Sequence, residues 1–220
     1  MAVQNALLTI LPQGVWHLRG FLPRAEQERL RDDLRDVVRA APLFTPVKPY
    51  GSAFRYKVTN CGEFGWTSEE VAGYRFIRRH PKGQEWPPIP QSVLDAGARA
   101  ALEAGFTHYS PNSCLLSFYE PGLGGNGPQR ENTLGEDESV PVVMLGLGAS
   151  CELGIGGLDF KDPLQHIDFN SGDALLLAGP GRGLYNEIRS VTAGCDLLAN
   201  GGLLLTTLRY VMFDSRRRRG

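Results

Sequence analysis

Long apolar runs are missing from this chain. Nowhere do about 18 consecutive apolar residues occur, the length a membrane-crossing helix needs, so the 42% apolar content is free to build a soluble core. The opening stretch MAVQNALLTILPQGVW has neither the basic start nor the extended apolar segment of a secretory signal. Cysteine is scarce too: Cys61, Cys114, Cys151 and Cys195 are scattered without a C-x-x-C spacing, so neither a zinc site nor a disulfide framework is indicated, and a reducing cytoplasm is the expected setting. Histidine is equally scarce in a chain of 220 residues, with His17, His80, His108 and His166 as the whole supply. One His-x-Asp occurs, His166 to Asp168, and no histidine follows it.

Excess positive charge is also absent. Four of the 23 basic residues are the run Arg216–Arg219, which leaves 19 against 24 acidic ones in the body of the chain. A protein that gripped duplex nucleic acid mainly through phosphates would carry the opposite balance, so a long nucleic-acid partner is not expected. The arginine run reads as a solvated tail, residues 215–220, outside a single domain spanning 1–214.

What is present organises into an α+β, mainly β, chain. PRAEQERLRDDLRDVVRAAP opens with a proline, carries acids early, and spaces Leu30, Leu34, Val37, Val38 and Ala41 along one stripe before Pro42, which predicts an amphipathic helix laid on a core. PQSVLDAGARAALEAG predicts a second, capped by Ser92 and ended by Gly105. Residues 43–91 mix proline, glycine and aromatics, and read as a functional lid rather than regular core. From 113 to 214 the texture is short strands, SCLLSFY, VPVVMLGLG, HIDF, DALLLA and LLLTTLRYVMF, with turn residues between them. No helix of useful length intervenes, so a barrel or sandwich is expected.

Within the lid, TNCGEFGWT raises the sharpest question. It suits neither a helix face nor an alternating strand, and it holds Trp66 beside Gly62 and Gly65. Trp66 is either a core plug or an aromatic face offered to a flat ligand, and the flanking glycines would let such a lid shift. VTNCGEFGWTS, Gly73-Tyr74, WPPIPQSV, PNSCLLSFYEPG, GGLDFKDP, SGDALLLAGPGRGLYNEI and LRYVMF together resemble the bacterial AlkB family of iron(II)- and oxoglutarate-dependent nucleobase dealkylases, over about residues 17–214. The resemblance implies a double-stranded β-helix, a cupin-like jelly-roll barrel with N-terminal helices and a nucleotide-recognition lid. It implies that Trp66 and Tyr74 border the target base.

The same resemblance implies three iron ligands, a His-x-Asp after the YxPG turn and a distal histidine. Here the corresponding window, Pro128 to Asn132, holds no histidine or aspartate, and the distal position is Asn186. Arg209 and Tyr119 match residues that hold oxoglutarate, whereas other positions of that set are Ser117, Val211 and Ser215. Arg209 has a second reading, a buried ion pair inside the barrel.

The expectation from the sequence is therefore an enzyme that needs no metal and no cofactor and acts on a nucleobase, nucleoside or similar heteroaromatic small molecule. Tyr119, Glu131, Glu187 and Arg209 are its candidate catalytic residues. A carboxylate would be the general base, and Arg209 or Tyr119 would stabilise negative charge. Trp66, Tyr74 and Asn186 are its candidate substrate-binding residues. Two alternatives stay open: a non-catalytic reader of modified bases, and a dioxygenase with unconventional ligands such as Glu131 and Glu187. Glu131 and Glu187 also read as solvated loop charges, and Tyr119 as a packed strand residue. No membrane partner is expected, and oligomeric state is left open.

Overall fold

A computed structural model describes residues 8–212, apart from 12, 13, 126, 132 and 134. Ser215, the arginine run and Asn132 lie outside the described residues. In chain order the elements are β1 (Leu8–Leu11), β2 (Val15–Leu18), α1 (Arg24–Ala40), β3 (Lys57–Gly62), β4 (Gly65–Glu69), β5 (Gly73–Ile77), α2 (Gln91–Glu103), β6 (Ser113–Tyr119), β7 (Val142–Gly148), β8 (Cys151–Ile155), β9 (Gln165–Phe169), β10 (Ala174–Leu177), β11 (Asn186–Val191) and β12 (Leu203–Arg209).

Seven strands form the larger sheet in the order β1-β2-β10-β7-β12-β6-β3, and β11-β8-β9 form the smaller one. Every pairing between these strands is antiparallel. The central strands of the larger sheet are largely apolar on both faces because both faces are covered. Leu115, Met144, Leu175, Leu177 and Leu205 point inward and meet Leu153, Ile155 and Ile188 of the smaller sheet. Their neighbours Leu116, Val143, Leu145, Leu176 and Leu208 point outward and meet the two helices. Alternation of side chains along a strand thus serves two cores at once. The result is a jelly-roll barrel, mainly β, with its helices on the outside of one sheet.

Helix α1 buries Gln27, Leu30, Leu34 and Val37, the stripe expected from its periodicity. Helix α2 starts at Gln91 behind Pro90, and no side chain caps it. Ser92 is not that cap: its hydroxyl donates to Asp33 of α1 and ties the two helices together. Gly97 lets α2 approach the sheet closely, since a Cβ there would run into the Leu208 side chain. Among the described residues no helix is long and apolar enough to cross a membrane.

The segment 43–91 is more regular than its punctuation suggests. TNCGEFGWT spans the end of β3 and most of β4, and β4 pairs with β5 in a two-stranded hairpin, Trp66 opposite Phe76 and Ser68 opposite Tyr74. Its glycines serve close packing. Gly62 takes φ +106 where a Cβ would strike the Asn112 carbonyl oxygen at 2.5 Å, and a Cβ on Gly65 would run into the Trp86 ring. The expectation that they loosen the lid is corrected by these contacts, which leave no room for a side chain.

Candidate functional site

Between the two sheets, under the β4–β5 hairpin, lies a cavity of about 450 Å³. Its walls follow from alternation. β6 contributes Leu115, Ser117 and Tyr119, and β12 contributes Leu205, Thr207 and Arg209, every second residue in each case. Asn186 and Ile188 enter from β11 in the same rhythm, and Trp66 and Tyr74 from the hairpin. The irregular connection between β6 and β7 closes the remainder with Pro128, Gln129, Arg130, Glu131 and Thr133. Backbone bonds fasten that connection to β11 and to the chain after β12, among them the pairings of Gln129 with Asn186 and of Glu136 with Val211.

Trp66 is held from three directions. Its backbone N–H donates to Asn60 Oδ1 at 2.9 Å, its carbonyl accepts from Asn60 Nδ2 at 3.0 Å, and its indole N–H donates to Thr133 Oγ1 at 3.1 Å. Asn60 is fully buried, so a single amide fixes the tryptophan's place on the strand. Tyr74 lies nearly parallel to Trp66, at 20° with centroids 6.0 Å apart, and Phe54 meets both rings edge-on. Trp66 is buried at 7% exposure, whereas Tyr74 is half exposed. The hairpin therefore offers the cavity one fixed aromatic and one that solvent reaches. Core packing and a place in the cavity wall are combined at Trp66.

Polar groups gather beside the second strand of the hairpin, where the Arg209 guanidinium lies 6.0 Å from the Phe76 ring. Arg209, 3% exposed, donates from Nη2 to Glu131 Oε2 at 2.6 Å and from Nη1 to Glu136 Oε1 at 3.4 Å. Glu136 in turn accepts from Arg182 Nη2 at 2.5 Å, and Arg182 donates its other terminal nitrogen to the Val140 carbonyl at 2.9 Å. The four side chains alternate in sign, Arg182, Glu136, Arg209, Glu131, and are buried together. Burial works against the Arg209 charge, but Glu131 and Glu136 more than offset it and leave its pKa raised. Burial also pushes the Glu136 carboxyl up from its ordinary range, against the pull of Arg209 and Arg182. Tyr119 is driven well above the usual phenol range, first by burial and then by Tyr56, whose ring lies 4.6 Å away. It is thus a hydroxyl donor and not a base.

Of the residues expected from sequence, the structure brings Trp66, Tyr74, Tyr119, Glu131, Asn186 and Arg209 to one cavity. Glu187 is not among them. It follows Asn186 on β11, and because successive residues point to opposite faces, the half-buried Glu187 is outside the lining. It is corrected from candidate general base to a residue of the outer face. Glu131 is no solvated loop charge, being 8% exposed and paired with Arg209. Arg209 has the ion pair and the cavity position together. His166 and Asp168 lie exposed on β9, with His166 beside Glu152 and Arg189, which is ordinary surface chemistry. Sequence reasoning missed Asn60, Thr133, Glu136 and Arg182. Their partners lie 6, 67, 73 and 46 residues away, and only the Asn60–Trp66 spacing was short enough to leave a local signal.

The chain matches the 2OG-Fe(II) oxygenase superfamily over residues 14–210. It is 34% identical over 185 residues to the alpha-ketoglutarate-dependent dioxygenase AlkB of Salmonella typhimurium, covering 84% of each chain. It is 23% identical over 137 residues to the tRNA demethylase abh1 of Schizosaccharomyces pombe, covering 61% of this chain and 41% of that one. Its fold superimposes on the structure of OsALKBH1 with a TM-score of 0.75 at 21% identity, covering 92% of this chain and 99% of the other. These relatives are named as dioxygenases and demethylases. That finding overturns the expectation of a non-oxidative enzyme or a non-catalytic reader, which rests on single positions against a resemblance that covers nearly the whole chain.

The superfamily's name implies iron and oxoglutarate, and the donors here can be tested against both. Non-haem iron of this class takes two imidazoles and a carboxylate. Where Gln129 pairs with Asn186, the cavity presents two neutral amides and the Glu131 carboxylate already engaged by Arg209, while the exposed Arg130 guanidinium lies over the Tyr185 ring. Among the described residues no three of His, Cys, Asp and Glu are grouped to hold a metal. This donor set does not fit the iron site. A guanidinium suited to an oxoglutarate carboxylate is present in Arg209, but its terminal nitrogens carry carboxylates of the chain itself.

Proposed function

Because the chain belongs to the 2OG-Fe(II) oxygenase superfamily and, within it, to the AlkB family, we propose that it is an enzyme whose cavity takes a single alkylated nucleobase as substrate, laid against Trp66 and Tyr74. The observation that carries this reading is the near-parallel pair of aromatic rings at the cavity wall, with Trp66 fixed by Asn60 and Thr133. A flat base gains from each ring face it meets, and stacking of this kind tolerates different bases. The volume of about 450 Å³ lies within the range of small-ligand sites. Demethylation is the activity for which the fission-yeast relative is named, and it supports a methylated base as the substrate class. The chain's own side chains hold and orient that base, Trp66 and Tyr74 through their ring faces and Asn186 and Tyr119 through polar groups of the same lining. The donor set beside them does not fit iron.

The acidic balance of the body favours a base presented as a nucleoside or in a short strand over a long duplex gripped by its phosphates. The free thiols of Cys61, Cys114, Cys151 and Cys195 suit a reducing, cytoplasmic setting.

Titration with N-methylated nucleosides and their unmethylated parents, read by tryptophan fluorescence, tests the proposal. A saturable quench that favours the methylated forms and weakens roughly 5- to 150-fold in Tyr74→Ala is expected, the equivalent of one lost stack. Equal signals from the parent nucleosides, or unchanged affinity in Tyr74→Ala, would remove the hairpin from the binding site.

A further inference from the structure

We propose that Phe160 and Tyr185 form a stacking platform for a second base, that of the nucleotide adjoining the one in the cavity, so that the substrate is taken as a short single strand. The inference rests on the nucleobase reading and extends it beyond the cavity. The connection between β8 and β9 carries LDFKDPL, residues 158–164, and holds two large apolar side chains in solvent, Leu158 at 61% and Phe160 at 60% exposure. Neither belongs to the buried cores. The connection is braced rather than slack. Asp159 N–H donates to Asp162 Oδ2 at 2.9 Å, Lys161 N–H to Asp159 Oδ1 at 2.9 Å, and Asp162 N–H to the Asp159 carbonyl at 3.0 Å. Its start is tied to Tyr185, whose carbonyl accepts from Gly156 N–H at 2.7 Å and whose N–H donates to the Gly157 carbonyl at 3.1 Å. The braced turn holds Phe160 edge-on to Tyr185, with ring centroids 5.5 Å apart at 81°.

The platform is continuous with the cavity. The Arg130 guanidinium lies 4.7 Å over the Tyr185 ring, and Arg130 is itself part of the cavity lining. Phe160, Tyr185 and Arg130 thus make one strip that begins at the cavity wall and ends in solvent. An exposed apolar strip of this kind marks a place where a ligand continues. Ring faces and a guanidinium plane are the surfaces on which unpaired bases stack, with little regard to which base it is. A nucleoside in the cavity would leave the strip in water, whereas a neighbouring base on the same strand can cover it. Charge agrees with stacking as the source of the attraction. Arg130 and Lys161 are offset by Asp159 and Asp162, whose carboxylates are held in their own turn, so the strip adds no net grip on phosphates.

The probes are an N-methylated nucleoside, the trinucleotide that carries it between two thymidines, and the same trinucleotide without the methyl group, each titrated into the full chain by tryptophan fluorescence. The methylated trinucleotide is expected to bind roughly 5- to 150-fold more tightly than the nucleoside, the equivalent of one added stack. That gain should change little with salt, unlike one made through phosphates. Phe160→Ala should remove the gain while its melting temperature stays near the wild type's, because the side chain is largely exposed. Phe160→Tyr keeps a ring and should keep the gain, and Phe160→Leu should not. Equal affinity for nucleoside and trinucleotide, or a gain that survives Phe160→Ala, would overturn the platform. So would a wild type that self-associates and turns monomeric in Phe160→Ala, which would give the strip to a second copy of the chain. The nucleobase reading fails separately: if nucleosides do not bind or the methyl group makes no difference, trinucleotide binding that still depends on Phe160 upholds the platform by itself, and its absence overturns both.

Discussion

Trp66 belongs to the core and to the cavity at once. Its ring is 7% exposed and meets Phe54 edge-on, while the same side chain lines the cavity. Trp66→Ala is therefore expected to cost about 3–5 kcal/mol of stability as a buried aromatic, and to weaken base binding as well. Tyr74 separates the two effects. Half exposed, it should cost about 1 kcal/mol or less when truncated, so a loss of affinity in Tyr74→Ala with little change in melting temperature isolates the stacking contribution. Trp66→Phe should fall between, since it keeps a ring but loses the bond to Thr133. Glu187 supplies the contrast at the same scale. Outside the cavity lining, Glu187→Gln should bind N-methylated nucleosides as the wild type does, and a large loss there would return Glu187 to the site.

At the scale of elements, the β4–β5 hairpin depends on one buried amide and one missing side chain. Asn60→Ala removes the acceptor of the Trp66 N–H and the donor to its carbonyl together. Leaving those groups unpaired should cost about 1–3 kcal/mol, and affinity should fall although Asn60 is not among the residues lining the cavity. Gly65→Ala would force a methyl group against the Trp86 ring, with a cost of about 1–3 kcal/mol from overpacking. Thermal melts alongside nucleoside titrations check both variants, and wild-type affinity in Asn60→Ala would show that the hairpin keeps its shape without the amide. The hairpin is also where the sequence was hardest to interpret. Strands β6, β7, β10 and β12 were legible because an apolar layer covers each face and writes a largely apolar run. β4 and β5 pair only with each other, and β5 is largely unburied, so no such run marks them. Gly65, at the start of β4, looked like a breaker when it is a contact point against Trp86. For the site, alternation explains both success and failure: Tyr119, Asn186 and Arg209 fall on inward positions, and Glu187, one residue along, does not.

Across the whole molecule, the buried charges fasten three distant segments. Arg182 lies in a short 3-10 turn after β10, Glu136 in the connection between β6 and β7, and Arg209 at the end of β12. No local pattern announces such a set, because each member reads alone as a surface charge and only the closed barrel brings them within bonding distance. Arg182 is the member whose loss tests the arrangement most cleanly, since it is 2% exposed and is not among the residues lining the cavity. Arg182→Met should cost about 3–5 kcal/mol, because it takes from the buried Glu136 its shortest charged contact and frees the Val140 carbonyl. Removing the partner as well, in Arg182→Met/Glu136→Leu, should recover part of that loss, since two matched apolar side chains replace a broken pair. A double-mutant cycle on denaturant midpoints reads the coupling directly, and an interaction energy of about 0.5–3 kcal/mol is expected for residues in direct contact. Additive losses would mean that Arg182 and Glu136 act independently. In that case Glu136 would act at this end of the barrel through Arg209 rather than through Arg182.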